Sequence, residues 1–132
     1  MAGVYLDTSA VGRVLLGEPD AAAVIRDLRE FDQHIASRLL RVELRRLAMR
    51  EGLLEQADQL LSGVALLPLD EAVLDAAETV PPASVATLDA IHLVTALRLA
   101  DEELIDTVMT YDTRLADGAR EHGLTVIAPA WR

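Results

Sequence analysis

The chain has no cysteine, which excludes a disulfide framework, a thiolate metal site and a cysteine nucleophile. It also has no lysine: all 12 basic residues are arginine, a bias that fits genomic base composition beside abundant Ala, Leu and Asp. No apolar run approaches the roughly 18 residues of a membrane span, and no basic segment leads into an apolar stretch at the N-terminus. A cytoplasmic protein without a membrane anchor is therefore expected. Positive charge is scarce too. The net charge of −10 opposes general binding to a polyanion, so any nucleic-acid partner has to find local cations.

What is present points to one globular domain over residues 1–132. A chain of this length buries roughly two thirds of its unfolded surface, and 52% of its residues are hydrophobic, in short runs that alternate with amphipathic stretches. Gly3 to Leu6 is a short apolar run ending at Asp7, after which Thr8 and Ser9 offer capping chemistry before a helix over Val11 to Leu16. Pro19 and Asp20 open a helix to about Glu30, and His34 to Ala36 is a short strand. Ser37 caps a third helix that Gly52 stops after Glu51. A further helix covers about Leu53 to Leu61, Val64 to Leu69 is a strand, and Asp70 caps a helix to about Thr79. Beyond the break at Pro81 and Pro82, a helix runs from about Ala86 to Leu99, with Thr87 as its candidate cap. A strand over Thr107 to Thr110, a helix over Arg114 to Glu121 and a strand over Leu124 to Ile127 follow.

Strands separated by helices imply right-handed crossovers. The expected class is α/β, with a central parallel sheet of about five strands covered by helices on both faces. Ligands of such sheets bind beyond the carboxyl ends of the strands. Asp7 and Asp112 both follow strands directly.

Four acids interrupt or terminate apolar patterns: Asp7, Glu43, Asp89 and Asp112. Asp7 and Asp112 also read as helix caps, and Asp89 as a first-turn acid favoured by the helix dipole. Glu43 lies beside Leu40, Leu44 and Leu47 on the apolar stripe of its helix, where an acid has to be paired or ligated; a pair with Arg46 is its simpler reading. Taken together, four acids from different elements can converge at one end of a parallel sheet. Packed like charges repel unless a cation neutralises them, and Mg²⁺ or Mn²⁺ suits oxygen donors, so the expected substrate carries phosphate.

The opening Val4-Tyr5-Leu6-Asp7-Thr8-Ser9, the helical Glu43, Leu88-Asp89-Ala90-Ile91-His92-Leu93 continuing to Thr95-Ala96, and Thr110-Tyr111-Asp112 occur in this order along nearly the whole chain. With them the chain resembles the PIN domain, specifically the VapC toxins of prokaryotic toxin–antitoxin pairs. The resemblance implies a Mg²⁺- or Mn²⁺-dependent endoribonuclease with Asp7, Glu43, Asp89 and Asp112 as its acidic cluster and Thr8 and Thr110 as polar neighbours. It also implies a VapB-type antitoxin, and a homodimer or a toxin–antitoxin hetero-oligomer. No acidic position is missing. The competing reading is a regulatory binding protein that keeps the scaffold and cleaves little. An aspartate-phosphorylating phosphatase is disfavoured, because Ser9 stands where a second acid is wanted.

The remaining polar residues have plainer roles. His92 reads as a packing and hydrogen-bonding residue, His34 and His122 as surface residues, Asp117 as part of a solvated face and Asp70 as a cap. Arg38, Arg41 and Arg45 form a stripe at i, i+3 and i+7, either a solvated face or a contact for RNA or antitoxin.

Overall fold

The computed structural model describes residues 3–130. The chain opens with β1 (Gly3–Leu6), α1 (Thr8–Leu15), α2 (Ala21–Leu28), β2 (His34–Ser37) and α3 (Arg38–Glu51). It continues with α4 (Leu54–Leu61), β3 (Ala65–Leu67), α5 (Glu71–Ala77), α6 (Thr87–Asp101), β4 (Ile105–Met109), α7 (Thr113–Glu121) and β5 (Thr125–Ile127). All strand pairs are parallel, and the sheet order is β3-β2-β1-β4-β5.

This is the α/β architecture expected from the sequence, and the capping residues explain most of its boundaries. Ser37 caps α3 by accepting from the Leu39 amide at 3.0 Å, and Gly52 ends that helix in the left-handed region at φ 70°. Asp70 caps α5 through the Val73 amide. Other boundaries differ from expectation. Helix α1 starts at Thr8, three residues before Val11, because Asp7 is its cap. Strand β3 is shorter than the apolar run Val64 to Leu69, since Pro68 has no amide hydrogen to give to a ladder. The cap of α6 is Ala86, which brings no side-chain bond, and Thr87 is already helical.

Each face of the sheet carries its own core. Along β1, Val4 and Leu6 point into one cluster, with Val11 of α1, Val24 of α2 and Leu40 and Leu44 of α3. Tyr5 between them points into the other, with Leu93 and Leu99 of α6 and Leu115 of α7. This alternation is what the two-residue side-chain period of a strand dictates. The register against β4 shifts by one residue, from Gly3 opposite Ile105 to Val4 opposite Thr107, so Ile105 and Val108 reach the same core. Helices α6 and α7 come close where Gly118 sits; a Cβ there would stand 2.8 Å from Val85 Cγ2 and 3.4 Å from a Leu93 methyl.

The chain begins in the middle of the sheet, fills one side through β2 and β3, then crosses to β4 and β5 on the other. The switch in direction lies between β1 and β4, whose last residues Leu6 and Met109 are paired. The residues that follow them, Asp7 and Thr110, are thereby side by side at the edge where such sheets place ligands. Among the described residues, no helix is long and apolar enough to cross a membrane.

Candidate active site

Asp7 is only 4% exposed and has its oxygens filled by donors. Its Oδ1 accepts from the Thr8 amide at 2.7 Å, and its Oδ2 accepts from the Ser9 hydroxyl at 2.6 Å and the Thr110 hydroxyl at 2.7 Å. Asp7 is thus the cap of α1, and it stands at the carboxyl edge of the sheet. Thr110 in turn accepts from the Asp112 amide at 3.0 Å, and Ser9 accepts from the Tyr111 amide at 2.8 Å. The turn after β4 is thus laced to the turn after β1.

Glu43 reaches the same edge from α3. No pair with Arg46 forms among the described residues; instead, Glu43 Oε1 accepts from the Thr8 hydroxyl at 2.6 Å and from His92 Nε2 at 2.8 Å. Burial pushes this carboxyl up, but the bonds from His92 and Thr8 and the nearby imidazole outweigh it, leaving Glu43 below its usual value. His92 Nε2 also lies 3.6 Å from Asp7 Oδ1, so the imidazole sits between the two acids.

The other two acids face each other. Asp112 caps α7 by accepting from the Leu115 amide at 2.9 Å, and Asp89, in the first turn of α6, feels its charge. Burial first, then the negative charges of Asp112 and Asp7, push Asp89 up to about 7, against a smaller opposite effect of His92. Among the described residues, no arginine makes an ion pair with any of the four acids.

The structure therefore brings the acids together as an Asp7–His92–Glu43 group and an Asp89–Asp112 pair, with Thr8 and Thr110 bonded to them. Among the described residues, no three Asp, Glu or His side chains are gathered around one point as a closed metal cage. The donor chemistry nevertheless suits a hard cation. The free donors are carboxylate oxygens, Mg²⁺ needs only one or two of them while keeping waters, and the raised Asp89 marks negative charge that the protein's own cations do not balance.

The arginine stripe points elsewhere. At 100° per residue, Arg38, Arg41 and Arg45 lie about 140–160° around α3 from Glu43. They line a separate groove of about 380 Å³ with Val42, Arg46 and Met49, and Arg45 is paired with Asp58 of α4. Arg13 lines a hollow of about 340 Å³ with Thr8 and Ser9, stacks over the Tyr111 ring at 4.1 Å and lies 3.6 Å from Asp20. Sequence reading gave neither Arg13 nor Ser9 a site role; the position of Arg13 one helical turn after Ser9 was the available signal. His34, expected at the surface, is half-buried with Nε2 2.7 Å from the Leu28 carbonyl, because it begins a strand. His122 and Asp117 are exposed.

The comparisons with known proteins agree with this architecture. The PIN domain family model matches residues 4–121. Ribonuclease VapC46 of Mycobacterium tuberculosis is 38% identical over 98% of this chain and 100% of its own length. Ribonuclease VapC47 of the same species is 38% identical over 96% of each chain, and ribonuclease VapC35 is 34% identical with the same coverage. A toxin–antitoxin complex from Klebsiella pneumoniae contains a chain with the same fold, at a TM-score of 0.74 and 16% identity, covering 98% of this chain and 99% of that one. The chain belongs to the PIN domain family, within its VapC ribonuclease branch.

Proposed function

We propose that the protein is a divalent-metal-dependent endoribonuclease, the toxin of a toxin–antitoxin pair, which hydrolyses RNA phosphodiesters at Asp7, Glu43, Asp89 and Asp112. The observation that supports this reading is Asp89: a half-buried carboxyl pushed up to about 7 by burial and then by the charges of Asp112 and Asp7 is a place where a cation would be favoured. The relatives' names, ribonucleases in each case, support the substrate class.

Mg²⁺ or Mn²⁺ would be held by Asp7, Glu43, Asp89 and Asp112. Such an ion supplies Lewis acidity and positive charge at the scissile phosphate. The chain's own residues do the rest. Ser9 and Thr110 fix Asp7 Oδ2, and Thr8 fixes both an oxygen of Asp7, through its amide, and one of Glu43, through its hydroxyl. Asp89, pushed up to about 7 without an ion, would give up its proton as the ion binds. Arg13, in the hollow next to Thr8 and Ser9, would offer RNA a local cation by exchanging its pair with Asp20 for a phosphate.

A VapB-like antitoxin is the proposed inhibitory partner, in a homodimer or a toxin–antitoxin hetero-oligomer, and an RNA substrate puts the work of the protein in the cytoplasm. Expression without the antitoxin, followed by sequencing of RNA ends, tests the reading. New ends that require an intact Asp89 and vanish with Asp89→Asn are expected. Equal growth and identical ends in the two cultures would leave a PIN-scaffold binding protein instead.

A further inference from the structure

We propose that Tyr5 and His92 are positioning residues: a buried relay in which the Tyr5 hydroxyl donates to Nδ1 and holds the ring so that Nε2 donates to Glu43. The inference deepens the ribonuclease reading and rests on it for its functional consequence. The relay joins three elements, β1, α6 and α3, and runs from the second core through to the acid edge. Tyr5 OH is 2.7 Å from His92 Nδ1, and His92 Nε2 is 2.8 Å from Glu43 Oε1. Tyr5 is 0% exposed and His92 1%.

The direction of the bonds follows from who can donate. Glu43 Oε1 lies 2.8 Å from Nε2 and Asp7 Oδ1 3.6 Å away on the same side; carboxylate oxygens accept, so Nε2 carries the hydrogen. Nδ1 on the far side of the ring then faces the Tyr5 hydroxyl at 2.7 Å, which has a hydrogen to give it.

Packing alone does not account for this pair. Phenylalanine and leucine would fill the same space without the desolvation that a buried hydroxyl and imidazole incur. The return is at Glu43. Both bonds it accepts, from His92 and from Thr8, end on Oε1, and among the described residues no donor engages Oε2. One carboxylate oxygen is thereby anchored and the other left for a ligand. Outer partners of this kind change metal affinity or activity by about 10–100-fold when removed.

The test combines ring spectroscopy with binding and turnover, using the full chain. Long-range ¹⁵N–¹H correlation of the three histidines, with His92 identified by its loss in His92→Gln, is expected to show a single Nε2–H tautomer in the wild type. In Tyr5→Phe the same ring keeps its hydrogen on Nε2, while the Nδ1 resonance, which has lost its hydrogen-bond donor, is expected to shift and broaden. Calorimetry with Mn²⁺ alone should show weaker binding in Tyr5→Phe and His92→Leu, by about tenfold or more. His92→Gln, whose amide can place a donor near the Nε2 position, should recover most of the affinity, and most of the kcat with KM for RNA unchanged. A doubly protonated ring in the wild type, an unaltered ring spectrum in Tyr5→Phe, or equal Mn²⁺ affinity in the Gln and Leu variants would overturn the relay. The spectra need no RNA, so they decide the relay on their own, and a wild type that fails to cleave tells only against the ribonuclease reading.

Discussion

Asp7 and Glu43 are surrounded by donors, whereas Asp89 is left facing two other carboxylates. The first two accept from two backbone or side-chain groups of Thr8, from Ser9, from Thr110 and from His92. Burial and the neighbouring carboxylates push Asp89 up to about 7, while Glu43 is held below its ordinary range. The two halves of one acid cluster thus divide the labour. The Asp7–Glu43 half is organised by the protein's own donors. The Asp89–Asp112 half is where the proposed cation would relieve the most repulsion, and so where its binding would be linked to proton release.

The strongest way to break this comparison is Asp7→Asn. Its amide nitrogen cannot accept, so one of the three donors around Asp7 is left opposed, and a negative ligand is removed at nearly constant shape. RNA cleavage is expected to fall by at least about 100-fold, the upper end of what outer partners alone contribute, with far-UV circular dichroism retained. Full activity would return Asp7 to the role of a helix cap. Chelation belongs in the same experiment: cleavage undiminished in excess EDTA would remove the metal from the proposed reaction.

A weaker perturbation probes the organised half. Thr8→Val deletes one of the two donors on Glu43 Oε1, and Thr110→Val deletes one of the two on Asp7 Oδ2. Each is expected to weaken Mn²⁺ binding about tenfold, measured by calorimetry. The double variant tests whether the two hydroxyls act on separate ligands, since independent sites add and coupled ones do not.

The Asp89–Asp112 half makes an opposite prediction, visible without any metal. Because its folded pKa is raised to about 7, Asp89 binds its proton more tightly in the folded state than unfolded. The metal-free protein therefore loses stability as pH rises from about 4 through about 7, and is protected below that window. Asp89→Asn imitates the protonated form. It is expected to raise the melting temperature in EDTA at pH 8, with the difference closing by pH 5. Added Mg²⁺ should stabilise the wild type more than the variant at pH 8. A variant no more stable than wild type at pH 8 would mean that the repulsion is absent.

The smallest expected effect lies far from both halves. Replacing Arg38, Arg41 and Arg45 with Gln should flatten the salt dependence of RNA binding by about 0.7 in slope for each phosphate no longer neutralised, if the α3 groove touches RNA. An unchanged slope would leave that groove to the antitoxin or to solvent, and would make Arg13 the next residue to replace.

Most of the frame was legible in the sequence because its punctuation is chemical. Ser37, Gly52, Asp70 and Asp112 each stop or start an element through a side chain or a backbone freedom that can be named in advance. Asp7, Glu43, Asp89 and Asp112 were legible as interruptions of apolar patterns. The connections between them were not. Tyr5 reads as one more apolar residue of a buried strand, and nothing local shows that it faces the α6 side, where His92 waits 87 positions later. Ser9 reads as a capping residue, yet it spends its hydroxyl on Asp7 and on the turn after β4. The direction of the arginine stripe was within reach of a helical wheel, which separates it from Glu43; only the location of α4 and Asp58 needed the structure.

Gly118 gives the acid pair a gauge. Asp112 stands at the start of α7 and Asp89 at the start of α6, and how far apart the two carboxyls lie depends on how closely those helices approach. That approach is permitted by a hydrogen in place of a methyl group, since a Cβ at position 118 would press on Val85 at 2.8 Å. The electrostatic tension at the sheet edge is therefore tuned from behind, by a residue that carries no charge and touches no acid. Widening the gap there is expected to relax Asp89 toward an ordinary carboxylate and, with it, to weaken the pull on the proposed cation.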